Sequence, residues 1–460
     1  MDLLKTLALP QSAEHVHLLL VIGGMVSAVL FPYIGFLLGT SWLSLVYDRK
    51  GRRSGDPREA RFARDVVSIS MANPSLPVFL GILPAVALVL IQAEITQGTN
   101  ALAVVLSGWG TLFLATGSIL LRSYWVTFRI GEVLSDAGEA VAGQPSGEPG
   151  SIEAFALENA GRREKTGRWG IRLLVLASTF LVASVGILAN GRHWIDIESL
   201  FEIFLAPDVL LRIPLFAGVV AGITGVGVIF FFFSWEGGIP TGDATYSGFV
   251  RSVAFHLSTV GFVVIPLCMI ATLLLLPPES LSALFFGLAG GVLVLLLLAA
   301  QLLYAYAHEG RGGYASYAFV VFASALVLMI VNDNVASGNT VQYQAALLNH
   351  RYDAITEEME TRLGIAAPAL TGADIYNSKC SACHLFDVKK VGPPYNIVIK
   401  KYFGRKSQLI AFVLAPRKVD PAYPSMPSQG LKPSEADSIA TYLLARVSGS
   451  DSTATSVVAK

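Results

Sequence analysis

An all-α membrane protein, crossing the bilayer about eight times and ending in a small all-α domain outside it, is the fold class this sequence predicts. Three observations carry that prediction. Apolar runs of bilayer length recur along residues 1–333, basic residues crowd into alternate loops, and a polar C-terminal segment holds two of the three cysteines close together.

Of 460 residues, 53% are hydrophobic and 14% charged, against about a quarter charged in an ordinary soluble domain. A helix needs about 20 apolar residues to span a bilayer. Such runs fall near 17–46, 75–94, 101–128, 171–189, 210–234, 252–276, 281–306 and 316–332. Met1 to Glu14 is short and carries Asp2 and Glu14, and no Ala-x-Ala site follows. The first run is therefore read as a retained helix, kinked at Pro32, rather than a cleaved signal. Gly218 with Gly222, and Gly287 with Gly291, have the small-xxx-small spacing that lets helices approach closely in lipid.

Orientation follows from the loops. The loop after the first run holds Arg49, Lys50, Arg52, Arg53, Arg58, Arg61 and Arg64. The loop after the second, Glu94 to Asn100, has no basic residue, and the loop after the third has Arg129, Arg162, Arg163, Lys165 and Arg168. Positive loops face the cytoplasm. Eight spans then place both ends of the chain on the other face, the periplasmic side of a bacterial inner membrane. The formal net charge of zero says nothing about partners, because a membrane protein divides its charge between two faces.

The membrane domain is expected over 1–333 and a linker over 334–371, with an amphipathic helix from Gln342 to Leu363. The C-terminal domain follows over 372–447, then a polar, disordered tail over 448–460. Ile130 to Gly170 reads as a hairpin of two short amphipathic pieces about a turn at Gly143–Gly150. There is no internal repeat and no phosphate-cradling glycine loop. The basic loops are topological, so nucleic acid is excluded as a partner.

Cys380-Ser381-Ala382-Cys383-His384 reads as an attachment site for c-type haem. Cysteines three apart on a helical turn present both sulfurs to one side, where they form thioethers to the haem vinyls. His384 is then carried under the iron as its axial ligand. A redox dithiol and half of a zinc site are the other readings of the spacing. Zinc would need a second ligand pair, and the remaining cysteine, Cys268, lies deep in an apolar run.

Gly372-Ala373-Asp374-Ile375-Tyr376 precedes these cysteines and Val391-Gly392-Pro393-Pro394 follows them. Tyr423-Pro424-Ser425-Met426-Pro427 and Glu435-Ala436-Asp437-Ser438-Ile439-Ala440-Thr441-Tyr442-Leu443 come next. With these motifs, Gly372 to about Val447 resembles a class I monohaem cytochrome c over its whole length. The resemblance implies that the Pro393 carbonyl takes the second N–H of the haem histidine and fixes its ring. It implies that Met426, 42 residues after His384 on a proline-stiffened loop, supplies the sixth ligand. It also implies haem attachment outside the bacterial cytoplasm, in agreement with the loop charges. With both axial positions filled, the expected activity is outer-sphere electron transfer, with no catalytic residue.

Two further histidine pairs, His256 with His308 and His17 with His193, lie near opposite membrane faces. Either pair could ligate a haem b, which needs two such ligands at one depth on facing helices. Between Ala183 and Phe233 an apolar helix ends in Ile187-Leu188-Ala189-Asn190-Gly191, an acidic loop with Pro207 follows, and a helix rich in small residues comes next. This stretch, with His17 near the start of the first run, loosely resembles subunit I of cytochrome bd quinol oxidases. Where that family carries a haem histidine this chain has Arg212 or Ile213, and the family's long quinol-binding loop is missing. The resemblance implies a diverged relative and does not carry over oxygen reduction. Arg192, Arg212, Asp196, Glu198 and Asp208 gather at this edge. They read as an interfacial loop with mutual ion pairs, a quinol headgroup or proton-exit site being the alternative.

Between Gly372 and Val447 eleven Lys and Arg stand against five acids, a balance of +6. Such a surface steers an acidic soluble electron carrier, with anionic lipid headgroups as the other possibility. The sequence thus predicts a membrane-bound c-type cytochrome serving a larger respiratory-type complex. It would pass electrons between a membrane redox partner, a quinol among the options, and an acceptor outside the membrane. An anchoring subunit with no redox centre in its helices and a diverged bd-like oxidase subunit are the alternatives.

Overall fold

The computed structural model describes residues 13–96, 101–142, 149–190, 193, 199–203, 206–234, 238–239, 242–362, 370–416, 418–420, 423–424 and 426–457. Among these residues every regular element is a helix. The chain divides into two compact units, Leu18–Val341 on one side of the division and Met1–His17 with Gln342–Lys460 on the other.

The helices of the larger unit are α1 (Ala13–Ser54), α2 (Pro57–Met71), α3 (Pro77–Thr96), α4 (Ala101–Ala142), α5 (Pro149–Ala189), α6 (Arg212–Phe233), α7 (Ala244–Leu275), α8 (Ala283–Glu309) and α9 (Gly312–Arg362). All except α2 are long and apolar enough to cross a membrane, which makes eight candidate spans among the described residues. In hydrocarbon a backbone must satisfy its own polar groups, and a helix does so within one segment. Leu267, Leu297 and Leu274 are 61%, 67% and 78% exposed on the outside of the bundle, the surface a lipid-facing helix presents. The chain is a multi-pass membrane protein.

The basic segment after the first span is more ordered than a loop. α2 is an amphipathic helix capped by Asp56, whose carboxylate accepts the Arg58 backbone N–H at 2.9 Å. Phe62, Val66, Val67 and Met71 on its inner face are buried. Its arginines have partners: Arg61 and Arg64 lie 3.5 and 3.1 Å from Asp65, which also accepts from the Tyr246 hydroxyl at 2.8 Å. Arg64 further pairs with Glu132 on α4. The side-chain hydrogen bonds from Arg58 hold the Asp56 carboxyl below the usual aspartate range.

Helices α4 and α5 also run further than the apolar pattern indicates. The polar stretch read as a hairpin of short pieces continues both spans to Ala142 and from Pro149; the turn at 143–148 lies outside the described residues. Asn159 and Arg163 on α5 donate to the Thr127 carbonyl of α4 at 2.9 and 3.2 Å, and Arg163 lies 3.6 Å from Asp48 of α1. Helix α6 meets α7 through glycine: a Cβ on Gly261 would sit 2.3 Å from the Gly222 Cα. The small-residue spacing of the fifth span is used, whereas Gly287 on α8 has nothing within 4 Å. Pro32 lies inside α1, which continues through it.

Helix α9 runs unbroken through the eighth span and on through most of the expected linker helix, and residues 363–369 lie outside the described residues. The smaller unit begins its folded core with α10 (Gly372–Ile375), which passes into a wider turn at Tyr376–Cys380. A short turn at Tyr395–Val398, α11 (Lys406–Leu414) and α12 (Pro433–Val457) complete it. Thr371 and Asp374 form a reciprocal capping box at the start of α10. Ile375, Tyr395, Leu409, Leu443 and Val447 share one apolar core. A Cβ on Gly372 would lie 2.4 Å from both the Ser438 carbonyl oxygen and the Tyr442 Cβ. Only glycine lets the first and last helices touch so closely. The polar tail expected to be disordered from 448 is helical through Val457, because a nucleated helix gains one hydrogen bond for each residue it adds.

Candidate haem site

The Cys-x-x-Cys-His run occupies a single turn. The N–H groups of Cys383 and His384 both donate to the Cys380 carbonyl, at 3.1 and 2.9 Å, so the two cysteines and the histidine stand together. Cys380 is buried and Cys383 half-buried. The Cys383 carbonyl then receives the N–H groups of Val391 and Gly392 at 3.1 and 2.9 Å, which folds the following segment back over the turn.

That fold-back brings the Pro393 carbonyl oxygen to 2.9 Å from His384 Nδ1. A carbonyl can only accept, so Nδ1–H is the donor here and Nε2 is the ring nitrogen left outside this bond. Gly392 lies against the imidazole: a Cβ there would be 2.2 Å from His384 Cε1. The Tyr395 ring stacks on the imidazole at 4.8 Å and 10°. Burial, with Cys380 beside it, pushes the Tyr395 hydroxyl well above its ordinary pKa, and burial raises the Cys380 thiol. Two sulfurs on one turn, a histidine nitrogen left outside that hydrogen bond and a glycine that clears the ring fit a covalently attached haem. Tyr395 is absent from the sequence-based set; its position directly after Pro393-Pro394 is the signal that points to it.

Met426 is half-buried on the irregular stretch leading to Gly430, whose φ is +57°. The Lys389 ammonium lies 4.7 Å from the centre of the Tyr423 ring, tying the stretch before Met426 to the loop after His384. Part of the basic charge is already paired, Lys379 with Glu435 at 3.3 Å and Lys406 with Asp437 at 2.7 Å.

The histidines of the membrane helices are engaged locally. His256 Nδ1 lies 2.6 Å from the Ser252 carbonyl and His308 Nδ1 lies 3.1 Å from the Tyr304 carbonyl, each one turn back on its own helix, and both rings are exposed. His193 Nε2 lies 2.7 Å from Asp208, and His17 is exposed. Arg192, Asp196 and Glu198 fall outside the described residues. Arg212 pairs with Asp333 of α9 through two hydrogen bonds of 2.7 Å. Sequence reasoning missed Asp333, although a lone acid at the end of an apolar run was a visible sign. Among the described residues no group of three or more His, Cys, Asp or Glu is placed to hold a metal ion.

A helical domain that holds a histidine in this way, directly behind two cysteines, has the arrangement a c-type haem requires. The cytochrome c family model matches residues 369–446, so the chain carries a class I c-type cytochrome domain, with covalently bound haem c and electron transfer as its activity. No curated protein matches the chain.

Proposed function

We propose that this protein is a membrane-bound electron-transfer subunit whose haem c is ligated by His384 and Met426 and attached through Cys380 and Cys383. The observation that supports this reading most is the hydrogen bond from His384 Nδ1 to Pro393. Bound haem c supplies a one-electron ferric/ferrous couple. The Pro393 carbonyl keeps the proton on Nδ1, so the Nε2 lone pair is the one available to iron. Gly392 and Tyr395 pack against the imidazole and limit its rotation, which keeps reorganisation small as charge comes and goes. The Met426 thioether would supply the second protein ligand, and a soft sulfur ligand would raise the potential.

In this reading the basic loops of α1–α2 and α4–α5 face the cytoplasm of a bacterial cell, and the cytochrome domain works on the periplasmic side. The helices dock other subunits of a respiratory-type complex and receive electrons from a lipid-soluble hydroquinone. The basic domain surface delivers them to an acidic soluble carrier. The test mixes ascorbate-reduced holoprotein with acidic and basic soluble carriers over a range of salt. Faster oxidation by the acidic carrier, slowing as salt rises, is expected; equal rates that ignore salt would overturn the partner assignment.

A further inference from the structure

One aromatic side chain touches both the haem histidine and the first of the two attachment cysteines. Tyr395 stands second after Pro393, and its N–H donates to the Leu385 carbonyl at 3.0 Å while the Asn396 N–H donates to the Phe386 carbonyl at 3.0 Å. These two bonds pin it to the segment directly behind His384. The ring is 7% exposed and lies nearly parallel to the imidazole, at 4.8 Å and 10°. Phe386 meets it edge-on at 5.6 Å and Tyr376 stands 6.2 Å away, so it has little room to turn.

The hydroxyl at the far end of that ring forms a hydrogen bond with the Cys380 side chain. Leucine or phenylalanine would fill the same place in a core that includes Ile375, Ile399, Leu409 and Leu443. A phenol buried among such residues is unfavourable unless it finds a partner, and sulfur is a weak one. Packing alone therefore accounts for the ring and leaves the hydroxyl unexplained. Attachment of haem explains it. When the thiol adds across a vinyl group, a sulfur–carbon bond forms and the thiol proton passes to the other vinyl carbon. The sulfur keeps its lone pairs and has no proton left, so the hydroxyl can act only as the donor. The positive end of its O–H dipole then faces a sulfur bonded to the edge of the porphyrin. That field favours the ferrous form, which holds the extra electron, and hydrogen bonding around a haem is one of the levers by which a protein sets its potential.

We infer that Tyr395 is a positioning residue for electron transfer: its ring sets the plane of the His384 imidazole, and its hydroxyl, donating to the Cys380 sulfur, raises the potential of the attached haem. The inference rests on the electron-transfer reading above and deepens it with a residue that neither ligates the iron nor bonds to the porphyrin.

The test is redox potentiometry of the full-length holoprotein and two variants: Tyr395→Phe removes the hydroxyl and keeps the ring, and Tyr395→Leu removes both. Low-temperature electron paramagnetic resonance of the ferric proteins reports the orientation of the axial imidazole. Poised at the parent's midpoint potential, Tyr395→Phe should be more than half ferric, a lowered potential, with the parent's g values. Tyr395→Leu should show a lowered potential together with shifted or broadened g values. A potential in Tyr395→Phe equal to the parent's would overturn the role of the hydroxyl, and parent g values in Tyr395→Leu would overturn that of the ring. The phenylalanine variant keeps the packing, so the first comparison does not depend on the leucine variant folding. A parent chain without covalent haem would instead overturn the electron-transfer reading, and this inference with it.

Discussion

The imidazole of His384 donates its Nδ1 proton to the main-chain oxygen of Pro393 across 2.9 Å. Nine residues separate them, and the link between them is a loop whose backbone bonds to the haem-binding turn itself. Ring tautomer and ring orientation are thus set by the same few residues that carry the cysteines, and the predictions for the domain follow from how little room that arrangement leaves.

Gly392→Ala would place a methyl 2.2 Å from His384 Cε1, so the ring or the loop must move. The Pro393 hydrogen bond should lengthen, with a shifted midpoint potential and less haem retained. Redox potentiometry of the variant checks this; an unchanged potential would mean that the ring orientation is fixed elsewhere.

Gly372→Ala tests the crossing of α10 with α12. The added methyl would lie 2.4 Å from the Ser438 carbonyl, a backbone atom that cannot rotate away. Overpacking of this kind destabilises by about 1–3 kcal/mol, which denaturant unfolding followed by haem absorbance would register. The haem spectrum of the folded fraction should be unaltered.

The Arg212–Asp333 pair is expected to behave as an interior ion pair. Removing one partner leaves the other poorly solvated, and Arg212→Leu should cost about 3 kcal/mol, the low end for buried pairs because the Asp333 side chain is 35% exposed. The double variant with Asp333→Leu should recover most of that loss. Thermal unfolding in detergent gives the cycle, and additive losses would contradict the pairing.

Asp56 gives a dependence on pH. Its carboxyl is held low by the side-chain hydrogen bonds of Arg58 and then by the Arg58 backbone N–H. A folded-state pKa below the unfolded one means a contribution that is complete above the unfolded value and lost as the pH falls through the folded value. The unfolding midpoint should therefore drop on acidification through that interval, and Asp56→Asn should flatten the drop. Superimposable profiles for the two proteins would rule the cap out as its source.

The eight spans were legible because span length and hydrophobicity are local quantities, and the Cys380–His384 turn was legible because its chemistry needs neighbours in sequence. What escaped depends on contacts between distant residues. α2 hides in a basic segment because its apolar face is narrow and its arginines read first as topology. The extensions of α4 and α5 are polar, and their burial is visible only once Asn159 and Arg163 are seen bonded to Thr127. Asp333 finds Arg212 across 121 residues, a distance over which no periodicity speaks. Gly392 belongs to a motif visible in the sequence, but its reason, a ring lying where its side chain would be, belongs to the folded chain alone.

In the function proposed here, His384 and Met426 would hold the iron of a haem attached covalently through Cys380 and Cys383. The measurement that tests this most directly is the visible absorption spectrum of purified holoprotein and of Met426→Ala, with haem counted by its pyridine complex. We expect one covalent haem c per chain, a sulfur-to-iron charge-transfer band in the oxidised parent, and loss of that band with a lowered potential in the variant. A chain without covalent haem, or a band that survives the substitution, would contradict it.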